Sequence, residues 1–150
     1  MDMPNSRPDG DWQSPLEAYI AGGGRVIQTG WSSADFTDLA EAFEVEILGT
    51  HNPLTLYRWN DSSLFTTPNT VPDVLVPVDD DWGTNGFRLN VVPAGSGVAA
   101  AGFVVAPTAG EAGIVIGNAG RTIFNGLLFD DYYPLDDDSS GKDDIVELVE

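Results

Sequence analysis

Between residues 97 and 129 the chain passes through three apolar, β-rich segments, at 97–105, 113–116 and 121–129, separated by glycine-bearing turns. Valine, isoleucine and phenylalanine lose side-chain freedom in a helix and pack well on a pleated surface, so these segments are expected to be strands. Gly117-Asn118-Ala119-Gly120 joins the last two, and its asparagine and glycines suit the positive backbone angles of a hairpin-like turn. The segments are apolar almost continuously rather than at every second position. That pattern implies burial on both faces and favours a sheet covered by helices.

The rest of the chain is read around this sheet. Ser14-Pro15-Leu16-Glu17 matches a helix start, with Ser14 as N-cap, Pro15 at the first helical position and Glu17 reaching back. Gly22-Gly23-Gly24 then supplies a left-handed stop and a turn into a strand at 25–29. After Trp31-Ser32-Ser33, the residues Phe36, Leu39, Ala40 and Phe43 recur at i, i+3, i+4, i+7, which predicts a second amphipathic helix capped by Ser32 or Ser33. A strand is expected at 44–48, followed by a long irregular excursion at about 49–90, rich in proline and pinned by Tyr57, Trp59, Phe65 and Trp82. Ile145, Leu148 and Val149 keep helical spacing at the end. Residues 1–13 read as a flexible lead-in, and 14–150 as a single α/β domain with a mostly parallel sheet and a late antiparallel strand pair.

Charge decides which partners to discount. Twenty-four acidic residues against six basic ones give a formal charge of −18, whose field repels nucleic-acid phosphates and anionic membranes. Such acidity serves solubility either in an exported or surface protein, the localisation favoured here, or in the cytoplasm of a halophile. No apolar run is long enough for a membrane span, and the polar, proline-bearing start is not a signal peptide. The chain has no cysteine and one histidine, His51, which excludes thiol nucleophiles, zinc-thiolate sites and disulfide scaffolds.

Tyr19 ahead of Gly23-Gly24 and a following strand, Gly120-Arg121 ahead of Gly126 on a late strand, and a terminal helix together resemble the later part of class I glutamine amidotransferase-like domains. The resemblance implies a flavodoxin-like, doubly wound scaffold, shortened by its opening strands. It places the family's nucleophile turn at Gly30-Trp31-Ser32-Ser33, where this chain has no cysteine. It therefore implies a scaffold without the chemistry, with Trp31, Ser32 and Ser33 left as candidate ligand-binding residues at a helix N-terminus.

The most specific local pattern is residues 136–147. Asp136, Asp138, Ser140, Asp144 and Glu147 fall at positions 1, 3, 5, 9 and 12 of an EF-hand-type loop, with Gly141 at 6 and the Lys142 carbonyl at 7. A hard cation takes six to eight oxygens, the glycine makes the sharp turn, and the twelfth residue contributes a carboxylate from the start of a helix. Calcium is the expected ion. The plain alternative is a solvated acidic linker whose Asp143 and Asp144 favour a helix N-terminus. The acidic turn at 79–86 has no glutamate at the required distance and reads as a loop, and His51 reads as a turn residue bonded to its neighbours. The sequence thus points to a non-catalytic binding or interaction module with a calcium loop, forming part of a larger exported or surface protein. A hydrolase using carboxylates or Ser32 and an acidic structural fragment are the other two readings.

Overall fold

A computed structural model of the protein describes residues 12–28, 39–52, 54–78, 86–132, 136 and 139–149. Helix α1 is Gln13–Ala21, two residues earlier than the capping pattern predicts: Trp12 occupies the N-cap and makes no side-chain cap bond. Pro15 still falls in the first turn, where its missing N–H removes no helical bond. Gly22, Gly23 and Gly24 close the helix by donating to the carbonyls of Ala18, Ile20 and Tyr19, with Gly23 at φ +94°. Of the second predicted helix, 39–43 is a 3-10 turn that buries Leu39, Ala40 and Phe43; the residues before it lie outside those described.

Among the described residues eight strands form one sheet: β1 (Val26–Gln28), β2 (Val45–His51), β3 (Leu56–Arg58), β4 (Val74–Leu75), β5 (Gly86–Val91), β6 (Val98–Gly102), β7 (Ala112–Gly117) and β8 (Thr122–Asn125). The order is β1-β8-β7-β6-β3-β4, and β5 pairs with the start of β7 through Leu89 and Ala112 while carrying β2 on its other side. Of these pairings only β1 with β8 is parallel; the others are antiparallel. Helix α2, Asp144–Val149, ends the described chain.

This overturns the expected fold class. The sheet is mixed and mainly antiparallel, not a parallel flavodoxin-like sheet covered by helices, and the α/β description does not hold. The strand after Gly24 is β1, which sits at an end of the strand order. The supposed excursion at 49–90 contains β3, β4, the first residues of β2's partner β5 and a 3-10 turn at Ser63–Phe65.

The error has a physical source, because continuous apolarity reports burial on two faces and says nothing about what covers them. Val115 and Phe124 enter one hydrophobic cluster with Leu16, Ile20, Phe43, Val45, Phe87 and Leu89. Their strand neighbours Ile114, Ile116 and Ile123 enter or pack against a second cluster with Leu56, Phe65, Val71, Tyr132, Ile145 and Leu148. The alternation expected of strands is therefore present, but both phases are apolar. One face is covered by α1, the 39–43 turn and the β2–β5 ribbon, and the other by the 54–78 segment and α2.

Candidate functional site

The β7–β8 turn is held by a carboxylate that the sequence does not mark. Glu44 stands at φ +63° between the 39–43 turn and β2, a left-handed conformation that strains any residue with a Cβ. Its carboxylate accepts from the N–H of Asn118 at 2.7 Å, and from the N–H and hydroxyl of Ser96 at 3.1 and 3.0 Å. The Ser96 hydroxyl oxygen in turn accepts from the N–H of Ala119 at 2.8 Å. Burial works to raise the Glu44 pKa, yet the Asn118 and Ser96 N–H groups, the Ser96 hydroxyl and the Arg121 guanidinium outweigh it and hold the carboxyl below its ordinary value. Arg121 ties the same turn to α1 by donating to the Ile20 carbonyl at 2.7 Å and to the Asn118 carbonyl at 2.9 Å. A pocket of about 300 Å³ opens between these groups and Glu17 and Glu41. Every polar group named here except those two glutamates is engaged in fixing the turn, which makes the cluster structural.

His51, expected from the sequence to be a turn residue bonded to its neighbours, is the second feature, and it lies in a strand rather than a turn. It ends β2 and is buried edge-on against Phe103, with ring centroids 4.1 Å apart, above Gly86, where any side chain would collide with the imidazole. Nδ1 meets the Asn52 carbonyl, while Nε2 is buried without a hydrogen-bond partner. Burial is the largest influence on the ring and lowers its pKa; the Asn52 carbonyl opposes this and Arg88 adds to it. A general base needs an acid or nucleophile within hydrogen-bond reach of its free nitrogen, and among the described residues none lies there.

The loop singled out by its spacing is described at residue 136 and from 139 onward. Asp136 is exposed, and its two carboxylate oxygens accept from the N–H groups of Ser140 and Gly141, both at 2.9 Å. Ser139 and Gly141 take the left-handed conformation, at φ +61° and +88°, which turns the chain back sharply at the sixth position. The Ser140 hydroxyl receives the Lys142 N–H at 3.2 Å. From there α2 begins, and its two acidic residues are drawn inward: Asp144 is 1% exposed and Glu147 is 5% exposed. The Glu147 Oε2 has no hydrogen-bond partner. Ile145 and Leu148 beside them enter the second hydrophobic cluster.

Thus Asp136 and Ser140 are brought together through the backbone, and Asp144 and Glu147 share the buried side of α2. Asp138 lies outside the described residues, as do Trp31, Ser32 and Ser33 and all but the last residue of the 79–86 turn. Among the described residues no three His, Asp or Glu side chains already converge as a metal site. Two of the described basic residues are held by carboxylates, Arg58 by Asp73 and Asp61 and Arg88 by Glu111, so they offset little of the acidic excess elsewhere. Trp59 and Phe65 do pin their segment, the first by an indole bond to the Val104 carbonyl at 2.8 Å and the second by full burial.

Fold and site together define an acidic, mainly antiparallel β-domain closed by a short C-terminal helix that carries buried carboxylates. No helix among the described residues is long and apolar enough to cross a membrane. No family model, no curated protein and no solved structure matches the chain.

Proposed function

We propose that the protein is a non-catalytic, calcium-binding β-domain, serving as a binding or structural module of an exported or surface protein, with the loop at 136–147 as its calcium site. The observation that carries this reading is Glu147. Its Oε2 is buried without a hydrogen-bond partner, and a buried carboxylate oxygen left unpaired is costly unless a counter-charge or metal meets it. Glu147 is also the twelfth residue counted from Asp136, where an EF-hand-type loop supplies its carboxylate, and Gly141 makes the turn at the sixth. Asp136, Asp138, Ser140, the Lys142 carbonyl, Asp144 and Glu147 are the oxygen donors of this reading. A hard divalent cation is matched by a donor set made only of oxygens. The non-catalytic part is supported by the missing thiol and by His51, whose Nε2 is buried with no hydrogen-bond partner among the described residues.

Calorimetric titration of the chelator-treated protein with calcium chloride tests the reading, with magnesium chloride as control. Wild type is expected to bind calcium with a Kd in the range of extracellular modules, roughly 10⁻⁴ to 10⁻³ M. At calcium about 100-fold above Kd the native state gains about 2.7 kcal/mol, which raises Tm by about 5–10 °C. Asp136→Ala should lose both the heat and the Tm shift. Silence of the wild type in both measurements refutes the calcium reading.

A further inference from the structure

We infer that the free edge of β4 is a docking site for an extended, positively charged peptide segment of another protein, which adds to the sheet as an antiparallel strand. The inference goes beyond the calcium reading and does not rest on it. Strand β4 ends the strand order, and among the described residues it pairs only with β3. The Arg58 N–H donates to the Asp73 carbonyl at 2.9 Å, and Leu56 lies opposite Leu75, so Asp73 and Leu75 turn their backbone groups toward β3. Bonded and unbonded pairs alternate along an antiparallel ladder, which directs the N–H and carbonyl of Val74 to the open side.

The side chains follow the same period. Leu75 is buried in the cluster of Leu56 and Val71, whereas Val74, Val76 and Val78 are 37%, 48% and 52% exposed. These three valines form an apolar stripe along one face, and Tyr57, directly opposite Val74, widens it onto β3. Sheet edges are commonly blunted by a charge or a proline. No charge lies between Val74 and Val78, and Pro77 falls on the phase that faces β3, where it removes no outward donor.

Charge selects the occupant. Asp61 and Asp73, both well exposed, share the single guanidinium of Arg58 beside the edge, so the surroundings of the stripe keep a negative excess. A second copy would bring another formal charge of −18 to the contact, which opposes pairing of the chain with itself. A strand that alternates valine-like side chains with lysine or arginine at its ends satisfies the open backbone groups, covers the stripe and meets the acidic surroundings.

Fluorescence anisotropy of the full chain in chelator tests the site, with the labelled peptide Lys-Lys-Val-Thr-Val-Thr-Val-Lys-Lys as probe and its glutamate-for-lysine counterpart as control. At low salt the lysine peptide should bind at least about tenfold more tightly than the glutamate peptide, and added salt should narrow the gap. Directly opposed residues share a face, so the peptide's valines belong over Val74 and Val76 and bond to β4. N-methylation of the valine amides should therefore weaken binding by roughly 5- to 100-fold, while N-methylation of the threonine amides changes it less than about twofold. In hydrogen exchange the Val74 and Val76 amides of the free protein should be fast and slow down when the lysine peptide binds. Val76→Lys, an exposed change, should weaken the lysine peptide about tenfold without altering exchange in β7. The proposal is wrong if the lysine peptide does not bind, if the glutamate peptide binds as tightly, or if bound peptide leaves Val74 and Val76 exchange unchanged. Slow exchange at both amides in the free monomer, or a dimer that grows with salt and protects them, also overturns it, the second by making another copy the occupant. None of these results bears on the calcium site, since the titration is made in chelator.

Discussion

Glu44 offers a sharp test of the way this sheet is closed, because its backbone and its side chain make opposite demands. The carboxylate gathers the Asn118 N–H, the Ser96 N–H and the Ser96 hydroxyl, tying the β5–β6 and β7–β8 turns to the start of β2. These groups are partly open to water, so each lost bond is worth about 0.5–1.5 kcal/mol, and Glu44→Ala should cost about 3 kcal/mol in all. That corresponds to a fall of roughly 6–12 °C in Tm for a chain of this size. The backbone at φ +63°, by contrast, disfavours any residue with a Cβ by about 1–2 kcal/mol. Glu44→Gly should therefore be less damaging than Glu44→Ala by about 1 kcal/mol, the reverse of the usual order in regular structure. Urea unfolding of both variants, with Glu44→Gln as the neutral isostere, separates the two contributions. Because the folded-state pKa of Glu44 is lowered, its charge contributes stability above the unfolded carboxyl value of about 4.3. The advantage of wild type over Glu44→Gln should shrink as pH falls through the folded value. If alanine proves no worse than glycine, or if the gap to glutamine is as wide in strong acid as at neutral pH, this account of the turn is wrong.

Two further outcomes follow from close contacts and burial. Gly117→Ala places a Cβ 2.3 Å from the Phe43 carbonyl oxygen and 2.7 Å from the Thr122 hydroxyl, so chemical denaturation should show a loss of about 1–3 kcal/mol or more. His51 has a folded pKa below its unfolded value of about 6.5, so its neutral form is favoured by folding. Stability should fall as pH drops through that unfolded value and level off below the folded one. His51→Leu should flatten this segment of a stability-against-pH curve measured by urea unfolding; an unchanged curve would place the titrating group elsewhere.

The sequence carried local structure further than it carried topology. The turn at 117–120 is where its asparagine and glycines put it, since positive φ at Asn118, Ala119 and Gly120 is a local requirement. The strand character of 98–102, 112–117 and 122–125 was legible for the same reason. Strand direction and neighbours were not, because Val115 and Ile114 are equally apolar although they face different clusters. Short strands such as Leu56–Arg58 and Val74–Leu75 leave no periodicity to read, and their pairing depends on partners far along the chain. In the candidate loop, the donor spacing and the glycine could be read directly. The burial of Asp144 and Glu147 could not, because it depends on how α2 meets residues from Leu56 to Val71. Glu44 gave no signal at all: a left-handed glutamate has no mark in sequence, and Ser96 and Asn118 reach it only in the fold.

The parallel pairing of β1 with β8 sets Val26 beside Thr122 and Gln28 beside Phe124, joining strands far apart in the sequence. A chain emerging in order from the ribosome cannot complete this pair until β8 has followed β1 out. Until then Val26, whose side chain ends up buried, has no strand to lie against. Closure of the sheet is consequently a late, non-local event, and chains released early would present the free side of β8's eventual place as an adhesive edge. Production of the protein should be limited less by its final stability than by how long that seat stays empty.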